Sequence, residues 1–94
     1  KMGHYYYEVD FLEKALKKSK KALSLSIESE NFSGKASALN IIGHIMYKQN
    51  EIKEALKYLK QALELSKIYD YPEIKKYARK KIEAIEAEKP QSAN

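Results

Sequence analysis

The sequence of 94 residues contains no cysteine and no tryptophan, three glycines and two prolines, and no long apolar run. The absence of cysteine excludes disulfide bonds, thiolate metal sites and a cysteine nucleophile. No apolar stretch approaches the roughly 18 residues that a membrane-spanning helix needs. No apolar stretch follows the charged first residue, whereas a secretory signal peptide would have one there. We therefore expect a cytoplasmic location and no membrane partner.

Charge is abundant: 33% of the residues are charged, 44% are hydrophobic, and the formal net charge is +5. This composition is typical of one small domain whose helices each bury a single stripe. Two basic runs, at 14–21 and 75–81, wrap around their predicted helices more than they form a stripe. We interpret them as solvated faces, and contact with nucleic acid or an acidic protein is the less favoured alternative.

Part of the sequence occurs twice, because residues 3–26 echo residues 43–66 at an offset of 40. A period in this range is typical of stacked helical repeats, which favours binding over catalysis. The identical pairs are Gly3/Gly43, His4/His44, Tyr7/Tyr47, Ala15/Ala55, Leu16/Leu56, Lys17/Lys57, Lys20/Lys60, Ala22/Ala62, Leu23/Leu63, Leu25/Leu65 and Ser26/Ser66.

Apolar residues at helical spacing predict an all-α chain without strands. Asp10 and Asn50 occupy equivalent positions and are predicted N-caps, with Asp10 and Glu13 forming a capping box. Ser33 is the predicted cap after the break at 31–34. Short connections predict antiparallel neighbours. The predicted elements are a helix stub at about 3–9 and helices at about 11–30, 33–48, 51–69 and 72–88.

The second unit reads Leu39-x2-Ile42-Gly43-x2-Met46 and then Ala55-x3-Leu59-x2-Ala62. This spacing resembles the tetratricopeptide repeat. The resemblance covers about residues 3–88 and implies antiparallel helical hairpins stacked as an α-α superhelix with a C-terminal capping helix. Small residues in this frame let the two helices of a hairpin approach closely. The implied packing residues are Gly43, Ala55, Leu59 and Ala62, and in the first unit Gly3, Ala15 and Ala22.

The period is longer than that of the common repeat, which is about 34 residues. We expect the additional residues near the connection between hairpins. The longer period is similar to that of bacterial peptide-pheromone receptors and regulator proteins.

Glu83 replaces the packing glycine in the last helix, so this helix is interpreted as a cap. We expect the C-terminal part of a longer array. It is predicted as one domain at 1–88, with a partial first repeat at 3–31, a full repeat at 33–69, a cap at 72–88 and a disordered tail at 89–94.

The resemblance implies a non-catalytic scaffold that holds a protein or peptide segment in a concave groove. Two alternatives are a regulatory module of a peptide-sensing or signalling protein and a basic nucleic-acid-binding module. One subset of the family grips a terminal carboxylate, but Tyr77 and Ile41 stand at two of its clamp positions, so that function is not predicted. The groove residues implied by the resemblance are His4, Tyr7, Ser37, Asn40, His44, Tyr47, Lys48, Tyr77 and Lys80.

No set of residues in the sequence predicts catalysis, a cofactor or a metal site. His4 and His44 would lie roughly 10 Å apart on packed helices, too far to share a zinc ion. No nucleophile with its base, and no glycine-rich phosphate loop, is evident. A first unit that lacks half of its first helix would expose apolar surface, so we also predict a homo-oligomer that covers it.

Overall fold

The computed structural model describes residues 2–88, with side chains from residue 11 onward. Within this part the chain forms four helices and no strand: α1 (Met2–Glu28), α2 (Phe32–Lys48), α3 (Ile52–Ile68) and α4 (Pro72–Glu88). Each helix packs against the next along the chain, and α2 also contacts α4. The start of α2 lies at the end of α3, where Phe32 and Tyr69 stack with ring centroids 4.7 Å apart. The predicted all-α fold of antiparallel helical hairpins is confirmed.

The three connections between the helices have the same geometry. The middle residue of each turn has a left-handed backbone: φ is 57° at Glu30, 67° at Asn50 and 61° at Asp70. The next residue donates its N–H to a carbonyl five positions back, which closes the preceding helix in a Schellman-type turn. These bonds are Asn31 to Ser26 at 2.8 Å, Glu51 to Met46 at 2.8 Å and Tyr71 to Ser66 at 2.9 Å.

The turns at Glu30, Asn50 and Asp70 are equally spaced, so one period of the sequence consists of two helix–turn units of equal length. Helices α2, α3 and α4 contain 17 residues each. The expectation that the additional residues lie near the connection between hairpins is therefore wrong, because every connection is equally short and the helices carry the extra length.

Two predicted N-caps are also wrong. Asn31, not Ser33, caps α2, since its Oδ1 accepts the N–H of Gly34 at 3.0 Å. Ser33 donates to the same oxygen at 3.3 Å. Asn50 occupies the left-handed turn position, which asparagine tolerates better than most residues, and Glu51 precedes α3 without a side-chain cap. A residue type that favours the N-cap can therefore occupy another position in or near such a turn.

Helix α1 passes through Asp10 without a break, so the predicted stub at 3–9 is not a separate element. A stub of that size is far shorter than the roughly 12–15 residues that an isolated helix needs. Continuing the helix keeps backbone hydrogen bonds that a turn would break, and the Asp10–Glu13 capping box then has no helix start to serve. The described residues do not include the surroundings of Gly3, the side chains of His4 and Tyr7, or the predicted tail at 89–94.

The core lies between α2 and its neighbours α3 and α4. One cluster joins α2 to α3 and α4, and a smaller cluster is formed by Leu39, Ala62 and Ala78. The predicted packing residues of the hairpin, Gly43, Ala55, Leu59 and Ala62, are all buried. The larger cluster contains Ile42, Met46, Ala55, Leu59, Ile82 and Ile85.

The equivalent face of α1 is less covered. Ala15 is half-buried, and Ala22 is exposed although its counterpart Ala62 is buried. The predicted packing role of Ala22 is therefore not fulfilled within the described part of this chain. The physical reason is that α2 covers this face on α3, whereas no described helix covers it on α1.

We expect Gly43→Ala to destabilise the chain by about 1–3 kcal/mol through overpacking. A Cβ at this position would lie 2.6 Å from Cγ of Leu59 and 3.2 Å from the carbonyl oxygen of Ala55. In a Leu59→Ala background the same change should cost far less, because the clash with the Leu59 side chain is gone and alanine favours a helix over glycine by about 1 kcal/mol. Urea unfolding of the four chains measures this coupling. A stabilising Gly43→Ala in the wild-type background would contradict the close approach.

The caps provide a matched pair of variants at equivalent positions. We expect Asn31→Ala to cost about 1 kcal/mol, because it removes the acceptor for the Gly34 N–H. Glu51→Ala, at the equivalent position before α3, should change the free energy of unfolding by a few tenths at most, since Glu51 makes no side-chain cap. Equal losses in urea unfolding would show that Asn31 does not cap α2.

Candidate functional site

The polar side chains between α2 and α4 form the candidate site, which we call the α2–α4 face. It consists of His44 and Tyr47 from α2 and Tyr77, Lys81 and Glu88 from α4. His44 and Tyr47 are three positions apart, and Tyr77 and Lys81 are four apart, so each pair lies on one side of its helix. The packing of α2 against α4 brings the two pairs together.

Tyr77 and His44 form the first contact across this face. The Tyr77 hydroxyl lies 3.2 Å from Nδ1 of His44. The two rings meet edge to face, with an interplanar angle of 82° and centroids 6.2 Å apart. The pair therefore combines a hydrogen bond with a favourable aromatic geometry.

Tyr47 forms the second contact, one helical turn further along α2. Its hydroxyl donates to Oε1 of Glu88 at 2.7 Å. The ammonium group of Lys81 lies 4.6 Å from the centroid of the same ring, within the range of a cation–π interaction. The ring of Tyr47 is thus fixed at its edge by a carboxylate and on its face by a lysine.

The electrostatics keep His44 and Tyr47 uncharged near neutral pH. Burial lowers the pKa of His44, and the positive charges of Lys81 and Lys48 lower it further. The neutral ring accepts the Tyr77 hydroxyl at Nδ1 when its proton is on Nε2. The pKa of Tyr47 is raised by its hydrogen bond to Glu88, then by burial and by the charge of that carboxylate. The lysines therefore carry the positive charge of this face.

An open cavity of about 440 Å³ lies beside these contacts and is lined by Tyr77, Lys80, Lys81 and Ala84. All four residues belong to α4 and recur at helical spacing on one side of it. The cavity combines an aromatic ring with two ammonium groups. These four described residues offer apolar contact and attraction for an acidic group, and they include no nucleophile with an adjacent base.

Asn40 lies one turn before His44 on α2. Its Oδ1 is buried and has no hydrogen-bond partner among the described residues. A buried acceptor without a donor costs about 1–3 kcal/mol.

The structure places the predicted groove residues in different surroundings. His44, Tyr47, Tyr77 and Lys80 lie together, with Asn40 one turn away. Lys48 is exposed and acts on His44 through its charge. Ser37 instead lines a cleft between α1 and α2. The side chains of the two remaining predicted residues, His4 and Tyr7, lie outside the described part of the chain.

Sequence reasoning missed Glu88 and did not place Lys81 in the groove. Glu88 stands at the repeat position equivalent to Lys48, with the opposite charge. A comparison that counts identical pairs passes over such a reversal. The available signal was the reversal of charge between Lys48 and the equivalent Glu88. Glu88 is the carboxylate that accepts the Tyr47 hydroxyl.

Within residues 2–88 no helix combines the length and the apolar character that a bilayer crossing requires. Nor does this part of the chain hold a group of three or more histidine, aspartate or glutamate side chains placed to bind a metal ion.

A family model described as the tetratricopeptide repeat matches residues 1–68. The match contains the whole α2–α3 hairpin and α1, and it ends before α4 begins. Searches of the curated proteins and of the solved structures found no match. The residues that α4 contributes to the α2–α4 face therefore lie beyond the matched segment.

We expect the chain to lose stability as the pH falls below about 6.5, because the native state lowers the pKa of His44. The unfolded chain then binds a proton that the folded chain resists, and the loss levels off below the native pKa. His44→Gln removes this titration and keeps a polar side chain, while His4 is common to both chains. Urea unfolding above and below that pH should show a smaller loss for the variant. Equal losses, or an NMR titration of His44 with its midpoint at 6.5 or above, would contradict the assignment.

Proposed function

Since the chain belongs to the tetratricopeptide repeat family, we propose that it is a scaffold that binds a protein or peptide segment on the α2–α4 face. Repeats of this family are generally non-catalytic modules for protein interaction. The proposal assigns the chain no cofactor and no reaction. The cytoplasmic location stays a prediction.

The exposed ring of Tyr77 beside Lys80 and Lys81 carries the proposal. Tyr77, which is 44% exposed, offers a rigid amphipathic ring of the kind enriched at binding hot spots.

The charges around the face favour an acidic segment. Lys80 and Lys81 line the cavity, and Lys48 lies close enough to lower the pKa of His44. Glu88 is the carboxylate of the face, and it is already engaged by Tyr47. An aspartate or glutamate of the ligand would therefore meet ammonium groups, which favours its association at moderate ionic strength.

The experiment is selection of random peptides displayed on phage against the full chain, followed by affinity measurements with the selected synthetic peptides. We expect selected sequences rich in aspartate and glutamate. Tyr77→Ala should weaken binding about five- to tenfold, which corresponds to about 1–1.4 kcal/mol. Tyr69→Ala is the matched control, because Tyr69 is 43% exposed but lies in the α3–α4 turn. Circular dichroism verifies that each variant is helical.

The outcomes separate the alternatives. Equal losses in Tyr69→Ala and Tyr77→Ala would contradict the α2–α4 face as the site. Binding of RNA or DNA that falls steeply between about 50 and 200 mM salt, with no selected peptide, would favour the nucleic-acid module. A short free peptide that raises the melting temperature would favour the peptide-sensing module.

A further inference from the structure

Three aromatic rings are stacked on the surface where the α1–α2 turn meets the α3–α4 turn. Phe32 and Tyr69 lie nearly parallel, with ring centroids 4.7 Å apart and an interplanar angle of 11°. Tyr71 stacks on Tyr69 in turn, with centroids 6.1 Å apart and an angle of 21°. Ile68, next to Tyr69 in the chain, is 67% exposed. We call the two turns together, residues 28–32 and 68–73, the aromatic edge.

The stack is open at Phe32. This residue is 40% exposed although Tyr69 covers one face of its ring, so the exposed area lies on the other face and on the ring edge. The core does not account for the stack, because Phe32, Tyr69 and Tyr71 belong to neither of the two core clusters. Exposed apolar side chains that cluster in this way mark an interaction surface.

The charge of the aromatic edge is opposite to that of the chain. The edge contains four acidic residues and no lysine, arginine or histidine, whereas the formal net charge of the whole chain is +5. None of the four carboxylates forms an ion pair with a described side chain. The nearest lysines in the sequence, Lys35 and Lys67, lie on the helices that lead away from the edge. The four acids are Glu28, Glu30, Asp70 and Glu73.

Two of these carboxylates are kept near the rings by the backbone. Asp70 lies between Tyr69 and Tyr71 in the chain, and Glu30 lies two residues before Phe32. Both acids occupy the left-handed position of their turn, and both are exposed. A cation that stacks on the open ring therefore has a carboxylate nearby.

We propose that the aromatic edge binds an arginine side chain of a partner protein. A guanidinium group is planar, so it can lie on the open face of Phe32 as the next layer of the stack. Its N–H groups can meet the carboxylate of Glu30 or Asp70. An ammonium group has no flat face and is more strongly hydrated, and an acidic side chain would be repelled. This surface goes beyond the α2–α4 face, so one chain can hold two segments of opposite charge.

The probe is a capped five-residue peptide with alanine at its odd positions and arginine at its even positions. Its binding to the full chain is followed through the NMR shifts of the backbone amides. We expect saturable shifts at residues 30–32 and 69–71. The analogue with lysine at the even positions should bind about two- to fivefold more weakly, because it loses the planar stacking. The analogue with glutamate should leave these amides unshifted.

Two variants separate the ring from the charge, and circular dichroism verifies that each is helical. Phe32→Leu keeps the apolar contact and should weaken the arginine peptide about two- to fivefold, the usual effect of an exposed cation–π contact. Asp70→Asn should weaken it by a similar factor, and it keeps the backbone, because Asn50 occupies the same position of the α2–α3 turn. Phe11→Leu and Glu51→Gln are the matched controls, since both residues are exposed and lie outside the edge.

Unchanged affinity in Phe32→Leu and Asp70→Asn, or shifts confined to other parts of the chain, would overturn the proposal. A lysine analogue that binds as tightly would overturn it too, because charge alone would then be recognised. Edge amides that shift with protein concentration before peptide is added would show that a second copy covers the edge, with the same consequence. Acidic peptides on the α2–α4 face are tested separately through Tyr77→Ala, so a failure there leaves this result unaffected.

Discussion

The close approach of α2 to α3 at Gly43 is the constraint on which the rest of the structure depends. The position that a Cβ would occupy lies 2.6 Å from Cγ of Leu59, so a larger residue has no room there. This contact allows Ala55 and Leu59 to be fully buried. It also fixes the rotation of α2 about its own axis, and with it the direction of the adjacent His44. The α2–α4 face is therefore positioned by a packing contact that contains none of its polar groups.

The equal length of the helix–turn units carries this constraint along the chain. Each turn places one residue in the left-handed region, and the next helix starts two residues later. The contacts of α4 with α2 are shifted by about two helical turns within this repeat, because Tyr77 and Lys81 are equivalent to Ser37 and Ile41 but contact His44 and Tyr47.

Small and apolar residues at fixed spacing were sufficient to predict the fold and the hairpin contact, because close helix packing tolerates few residue types. Position 10 shows the limit of that reasoning. Asp10 matches Asn50, yet a turn forms at Asn50 alone, because the energy of a turn depends on what the preceding segment can pack against.

The candidate site was predicted in part, through His44, Tyr47 and Tyr77. Glu88 was missed, since its role depends on how α4 crosses α2, which no local pattern records.

The surface of α4 that contacts α2 differs in chemistry from the equivalent surface of the cleft between α1 and α2. On α4, Tyr77 and Lys81 hold α2 through a hydrogen bond and a cation–π contact. The equivalent residues, Ser37 and Ile41, line the cleft between α1 and α2. Serine offers a hydroxyl without an aromatic ring, and isoleucine offers apolar area without a charge. This cleft therefore offers apolar area but fewer directional contacts than α4 offers to α2.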